Sequence, residues 1–297
     1  MAVSFEQVHA MPLTHVLLML AICSVWLPAV AVGARYRLPP WAVLFGVAIA
    51  AGLVQGFLRP PAVAALLVLV SLALAAHRLE KPVPRGIAMA LLVLLCLALA
   101  LHRVPGFDNP VVLDRVRITP DAAPFTQYLN FDKGSVGLVL LALLSPRLRR
   151  GDPLGRLARD TAIGLASTAL VVFGVALAAG LVRVDAKLPA AAALFLLTNL
   201  FFTCVAEETF FRTLVHDPLR GGGRWGGRGI AALWLSALLF GLAHAGGGPM
   251  LMAMAGLAGL GYGAVYVHTG RIEAAVLVHF GINALHFLFF TYPALQR

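Results

Sequence analysis

Ala206-Glu207-Glu208-Thr209-Phe210-Phe211-Arg212 closes an apolar run that begins at Leu188. Two adjacent carboxylates and a guanidinium therefore lie inside what otherwise reads as a membrane span. Placing one ionised side chain at the centre of such a helix costs roughly 2.5–3.5 kcal/mol on insertion scales, and intramembrane ionisable residues mark function by default. On a helix, Glu208 and Arg212 are four apart, share a face and can pair. Glu207 is turned about 100° from its neighbour and has no partner within its own helix. Glu207→Gln is accordingly expected to leave the fold intact. A plainer reading stays open on this stretch alone: all three are structural ion pairs, or charges at headgroup level.

The composition around this stretch is that of a membrane protein. Of 297 residues, 60% are hydrophobic and only 12% charged, with a mean hydropathy of +0.89. A soluble domain of this length needs far more polar surface, so the expected class is an all-α, polytopic transmembrane helical bundle. The net charge of +10 invites a nucleic-acid reading. The basic residues, however, fall between apolar runs, which is the loop pattern of a membrane protein. The expected partner is the lipid bilayer, with no nucleic acid. Cys23, Cys96 and Cys204 sit in apolar runs without metal spacing and read as small core residues, not as a disulfide. Twenty of the 23 basic residues are Arg, and Ala, Gly and Pro abound. That points to a GC-rich bacterial genome and so to a bacterial inner (cytoplasmic) membrane.

Apolar runs occur at about 13–34, 41–58, 61–76, 86–102, 134–146, 161–182, 188–210, 229–245, 249–269 and 273–292, giving about 8–10 spans. Prolines at Pro39-Pro40, Pro60-Pro61, Pro82 and Pro84 punctuate the early ones. With ten spans, alternate junctions carry 15 basic residues against 8 on the other side, which puts both termini outside. The 31-residue connection from Arg103 to Lys133 then faces out. It reads as a plain connecting loop, although Phe125, Tyr128 and Phe131 also suit a lid or contact with the membrane surface. Residues 1–187 form an N-terminal transmembrane region with no feature tied to chemistry, and 188–297 the core that carries the charged motif.

Two later stretches bear on that motif. Phe240-Gly241-Leu242-Ala243-His244 ends the next apolar run, and His279-Phe280-Gly281-Ile282-Asn283 lies in the last. Glu207 and His244 are equidistant from the middle of the 220–228 turn, so an even antiparallel hairpin brings them level, able to hold one water between them. His244 also reads as a helix-end histidine before Gly246-Gly247-Gly248. His279 and Asn283 share a helix face. Both donate hydrogen bonds without a fixed charge, which suits an oxyanion hole and equally suits interhelical glue. Phe240 reads as core. Gly256, Gly259, Gly261 and Gly263 make a surface for close helix approach. His9, His15, His77, His102, His216 and His268 sit singly, and no H-E-x-x-H or G-x-S-x-G motif is present.

Taken together, E-E-x-x-x-R, F-x-x-x-H and H-x-x-x-N resemble the CPBP family of intramembrane endopeptidases, which includes the type II CAAX prenyl proteases. The resemblance covers about residues 188–292. It implies hydrolysis of a peptide bond near the cytoplasmic side of the bilayer, with Glu207 as general base beside His244. His279 and Asn283 would stabilise the oxyanion, with Glu208, Arg212 and Phe240 in support. The implied partners are peptide or protein substrates in or at the membrane, including C-terminal tails of prenylated proteins or, in bacteria, bacteriocin-related peptides. No cofactor is expected; zinc is possible, with Glu207, His244 and His279 as its ligands. Two other readings stand beside this one: a proton-coupled transporter using Glu207, Glu208 and the histidines as a relay, and a non-catalytic membrane scaffold or immunity protein of the same fold.

Overall fold

A computed structural model describes residues 10–33, 36–221 and 223–296; Glu6, His9 and Gly222 lie outside the described residues. Each of the ten apolar runs contains a helix, although the first, 13–34, is helical only to Trp26 and ends in a strand: α1 (Leu13–Cys23), α2 (Pro40–Val54), α3 (Pro60–Arg78), α4 (Pro82–Ala100), α5 (Phe131–Leu143), α6 (Leu154–Ala178), α7 (Ala192–Leu219), α8 (Gly227–Ala243), α9 (Gly248–Thr269) and α10 (Ile272–Phe289). Proline starts α2, α3 and α4 and stands in the first turn of α9, where its missing N–H costs no hydrogen bond.

The all-α bundle holds, and length limits the count of spans. Six helices (α3, α4, α6, α7, α9 and α10) are long and apolar enough to cross a membrane, while α2, α8 and the Leu13–Trp26 segment are shorter. The run at 134–146 is the clearest departure. Its helix, α5, has 13 residues, about 20 Å at 1.5 Å per residue, against the ~30 Å of a hydrocarbon core. Eleven of those 13 are buried. A helix covered on all sides is held by its neighbours and not by lipid, so it need not match the bilayer. α5 is the central post of the bundle.

Successive helices alternate in direction, and their connections gather at two ends. At one end Trp26 Nε1 donates to Glu273 (2.7 Å), Arg147 Nη1 to the Val25 carbonyl (2.8 Å) and the Ile272 amide to Pro146 (3.0 Å). Arg271 grips Asp152 there with two hydrogen bonds, and its guanidinium holds the Asp152 carboxyl at about 2. This is the end where the odd-numbered junctions concentrate arginines; call it the basic end.

The opposite end carries the largest departure from the sequence reading. The 103–133 connection is not a plain loop. β3 (Val111–Val116) and β4 (Phe125–Tyr128) pair antiparallel within it, as do β1 (Val30–Val32) and β2 (Tyr36–Leu38) at the basic end. Leu113, Val116 and Ile118 of the longer hairpin bury themselves against Ala191, Phe195 and Phe287, which seats it on the ends of α7 and α10. The C-terminal tail completes the cap, with Ala122 bridged to Leu295 and Val184 to Phe290. One buried cluster runs from Leu18 and Leu138 through Phe202 and Cys204 to Tyr266, so the core crosses the 187/188 boundary.

Candidate active site

The site is built on α7, whose hydrogen bonding is irregular where the charges sit. Asn199–Cys204 and Thr209–His216 are π-helical and flank a single α turn, Val205–Glu208. Such wide turns are rare and recur at functional positions, because they re-aim side chains that a regular helix would place elsewhere. The i,i+4 pair survives: Arg212 Nε donates to Glu208 Oε2 at 2.8 Å, with both side chains fully buried. Arg212 also donates through Nη1 to Ser236 Oγ and through Nη2 to the Gly259 carbonyl, each at 3.2 Å. A Cβ at Gly263 would lie 2.7 Å from Nη1, and one at Gly259 3.2 Å from the Phe240 ring and Cβ. The small-residue face of α9 thus makes room for a buried guanidinium, which needs several acceptors to offset lost hydration.

The other oxygen of Glu208 belongs to α10. His279 Nδ1 donates to Glu208 Oε1 at 2.9 Å. A carboxylate only accepts, so this bond leaves Nε2 as the ring atom free for other work. Tyr262 stacks on the His279 ring (4.4 Å, 13°), and Phe240 meets it edge-on at 5.6 Å. Phe240 also lies 4.8 Å from the ring of His244, so it separates and orients the two imidazoles. His244 Nδ1 donates to the Phe240 carbonyl at 2.8 Å, again leaving Nε2 free.

Glu207 does lack a partner in its own helix, but it is not unpaired. Lys133, 74 residues earlier in the first turn of α5, places Nζ 2.6 Å from Glu207 Oε1. The approach is close because α5 presents glycine to α7: a Cβ on Gly137 would sit 2.9 Å from the Ala206 Cα, and one on Gly134 2.6 Å from the Phe202 ring. Behind Lys133 stands a second buried carboxylate. Asp132, 1% exposed, accepts from His102 Nδ1 (2.7 Å), Asn109 Nδ2 (3.1 Å) and the Lys133 amide (2.8 Å). His102 adopts φ +55 to make its contact, a conformation a non-glycine residue holds only when its surroundings impose it. So His102 does not sit singly, and residues 1–187 do supply a group to the site. The available signal was Asp132-Lys133 directly before an apolar run. It is easily passed over when the preceding stretch is read as loop.

The second oxygen of Glu207, Oε2, is buried without a hydrogen-bond partner and lies 3.9 Å from His279 Nε2. Asn283 Nδ2 donates to Asn199 Oδ1 at 3.2 Å, and the Cys204 thiol reaches the same oxygen at 3.2 Å. Asn199 is a polar residue inside the apolar run that the sequence reading left unassigned. His244 is close enough to interact electrostatically with Glu207, yet the two share no hydrogen bond among the described residues. The even hairpin expected for them is not what forms. α7 ends at Leu219 and α8 begins at Gly227, 12 residues after Glu207 and 17 before His244. Lys133 and Asn283 lie in the half of their helices nearer the hairpin end and His244 just past that end of α8, while Glu207 and His279 lie in the other half of theirs, so the carboxylate sits near the middle of the bundle.

Among the described residues no three His, Cys, Asp or Glu side chains converge as a metal site. The ammonium of Lys133 already stands on Glu207 Oε1, where a metal would have to bind, while Nε2 of both histidines stays free.

Comparison with known families meets this geometry at its centre. Residues 189–285 match the family described as type II CAAX prenyl endopeptidase Rce1-like. Over this third of the chain the sequence is similar to that family. Glu207, Glu208, Arg212, Phe240, His244, His279 and Asn283 all fall inside the matched segment; Lys133 and the Asp132 network fall outside it. No curated protein and no solved structure matches the chain. Family and helices together make this an integral membrane protein.

Proposed function

We propose that the chain is a membrane-embedded endopeptidase in which Glu207 activates water against a peptide carbonyl. The observation that carries this reading is the asymmetry of the Glu207 carboxylate. Oε1 is held by Lys133, while the buried Oε2 has no hydrogen-bond partner and points toward His279. Oε2 is then the atom that removes a proton from water, since a base needs a free lone pair within reach of the proton it takes. The resulting hydroxide adds to the carbonyl carbon. When the C–N bond breaks, the proton on Glu207 passes to the leaving nitrogen, and in this reading His244 Nε2 relays it.

The carbonyl oxygen becomes an anion during this addition, and two donors serve it. Asn283 has two N–H bonds on Nδ2, with Asn199 Oδ1 at 3.2 Å and Cys204 Sγ at 3.8 Å, and the oxyanion would take the place of the weak sulfur contact. His279 donates from Nε2 as the imidazolium, with Nδ1–H kept on Glu208. Such fixed donors act on charge that appears only in the transition state. Glu208 and Arg212 hold His279 in place and touch no substrate. Lys133 fixes Glu207 in one rotamer and balances its charge inside the bundle.

The substrates this reading favours are peptide tails of membrane-associated proteins, presented at the hairpin end; the cell it fits is bacterial, and the membrane the inner one. The test is a comparison of membranes containing wild type or Glu207→Gln against a library of C-terminal peptides. Peptides cleaved only by wild type are expected. Undiminished cleavage by Glu207→Gln overturns the mechanism.

A further inference from the structure

The last turn of α7 carries a second polar cluster that the proposed reaction does not use. His216 is fully buried, with Nδ1 3.2 Å from Asp217 Oδ1. The carboxylate can only accept, so Nδ1 carries the proton. Nε2 is left buried with no partner. A buried polar nitrogen in that state costs free energy unless something occupies its lone pair or its proton. Around it, the Tyr266 hydroxyl donates to Asp217 Oδ2 at 2.7 Å. Arg220 Nε stands 3.1 Å from Asp217 Oδ1 as an ion pair without hydrogen-bond alignment. These side chains and Arg224 line a cleft of about 200 Å³ at the basic end of the bundle.

Arg224 is the group that makes the cleft a receptor. It is exposed in the connection between α7 and α8, and its Nη1 reaches only the Val267 and His268 carbonyls, each at 3.5 Å. That is the outer limit of a hydrogen bond. Among the described residues no carboxylate pairs with it. The guanidinium lies over Gly270, where a Cβ would come within 2.4 Å of Nη1. Gly270, at φ +67, therefore both ends α9 and leaves the space Arg224 occupies.

The charges define the ligand. Arg220 and Arg224 against Asp217 leave one net positive charge with His216 neutral, which matches one phosphate monoanion. A neutral His216 needs a hydroxyl to donate to Nε2; as an imidazolium it donates to a phosphate oxygen directly. Either state is complemented by a phosphate that bears, or adjoins, a hydroxyl. We propose that this cleft binds such a phosphate group, supplied by an anionic glycerol-type lipid headgroup or by free phosphate.

The test uses the full-length protein purified in a neutral detergent. The probes are short-chain phosphatidylglycerol, short-chain phosphatidylcholine and inorganic phosphate, each titrated against the melting midpoint, with native mass spectrometry counting what stays bound. Saturable binding of one phosphatidylglycerol or one phosphate per chain is expected, weakened at least tenfold in Arg224→Gln and less in Arg224→Lys. Arg224 is exposed, so neither variant removes a core contact. Binding of phosphatidylglycerol alone identifies the source as lipid, and equal binding of inorganic phosphate identifies free phosphate. Three results overturn the proposal: no saturable binding of either probe, wild-type binding by Arg224→Gln, or phosphatidylcholine binding as tightly as phosphatidylglycerol.

Discussion

Removing Lys133 isolates the Glu207 charge without touching any residue of the matched family segment. At 2.6 Å and an effective dielectric of about 20, the pair attracts with about 6 kcal/mol. Desolvation of both ions opposes this, so the net worth of the pair is far smaller. What does not cancel is the charge left behind when one partner is deleted, typically about 3–5 kcal/mol for a buried pair. Glu207 and Lys133 keep 14% and 19% of their side-chain exposure, which places Lys133→Met at the low end, about 3 kcal/mol. Glu207→Gln should cost a similar amount, because it strands the ammonium. The double variant Lys133→Met/Glu207→Gln carries no charge at either position and should lie within about 1 kcal/mol of wild type. The assay is a double-mutant cycle on reversible unfolding in mixed detergent micelles. A coupling of at least about 2 kcal/mol is expected. Single effects that add to within about 0.5 kcal/mol would refute the reasoning. So would a stable Glu207→Gln, the outcome anticipated when only the in-helix neighbours of Glu207 are considered.

Asn283→Ala should lower turnover by about 10²–10³ with little change in KM, and Asn199→Ala, which releases the Asn283 amide and the Cys204 thiol, should do so more mildly; steady-state kinetics on a cleaved peptide decide. At the basic end, the Asp152 carboxyl is held at about 2 by the Arg271 guanidinium, below its ordinary 3.8. A depressed carboxyl contributes stability that is complete above its ordinary value and disappears as pH falls through about 2. Between roughly pH 4 and 2, wild type should therefore lose more stability than Asp152→Asn, measured by melting in detergent across that range. In a background lacking Cys23, Cys96 and Cys204, a cysteine at Gly223 should react with an impermeant thiol reagent from the cytoplasm and one at Asp108 from outside. Labelling of both from one side would contradict the alternation of the ten helices.

How much of this was readable beforehand follows from the range of each interaction. The Glu208–Arg212 bond is fixed by helix geometry four residues apart, and the ten apolar runs are a local property, so both could be read directly. The contact between Glu208 and His279 joins residues 71 apart; the sequence could name both members without saying that they touch. Lys133 was hidden for a different reason. Its neighbours 103–130 look like loop because the strands are short and irregularly registered, and the register shifts blur the alternation that marks a hairpin. Asn199 was averaged away inside an apolar run. The π turns of α7 carry no composition signal, and they make counts along that helix unreliable. His216 looked solitary although its hydrogen-bond partner Asp217 is the next residue, because the Tyr266 ring that packs on it and bonds Asp217 comes from another helix.

Orientation and substrate are one question in this molecule. The family resemblance implies a reaction near the cytoplasmic side. α7 continues 12 residues beyond Glu207, and Lys133 and His244 sit at the hairpin end of their helices. The charge count assigns the basic end, with 15 of the 23 basic residues, to the cytoplasm. Under that assignment, and with substrate presented at the hairpin end as proposed above, a tail must already have crossed the membrane to be cleaved. A cytoplasmic substrate instead requires the bundle to be inverted, with the Arg147–Arg159 cluster and the 220–228 turn outside. The labelling of Gly223→Cys and Asp108→Cys therefore selects between two substrate pools as well as two topologies. The expected outcome, Gly223 inside, directs the peptide search to exported chains.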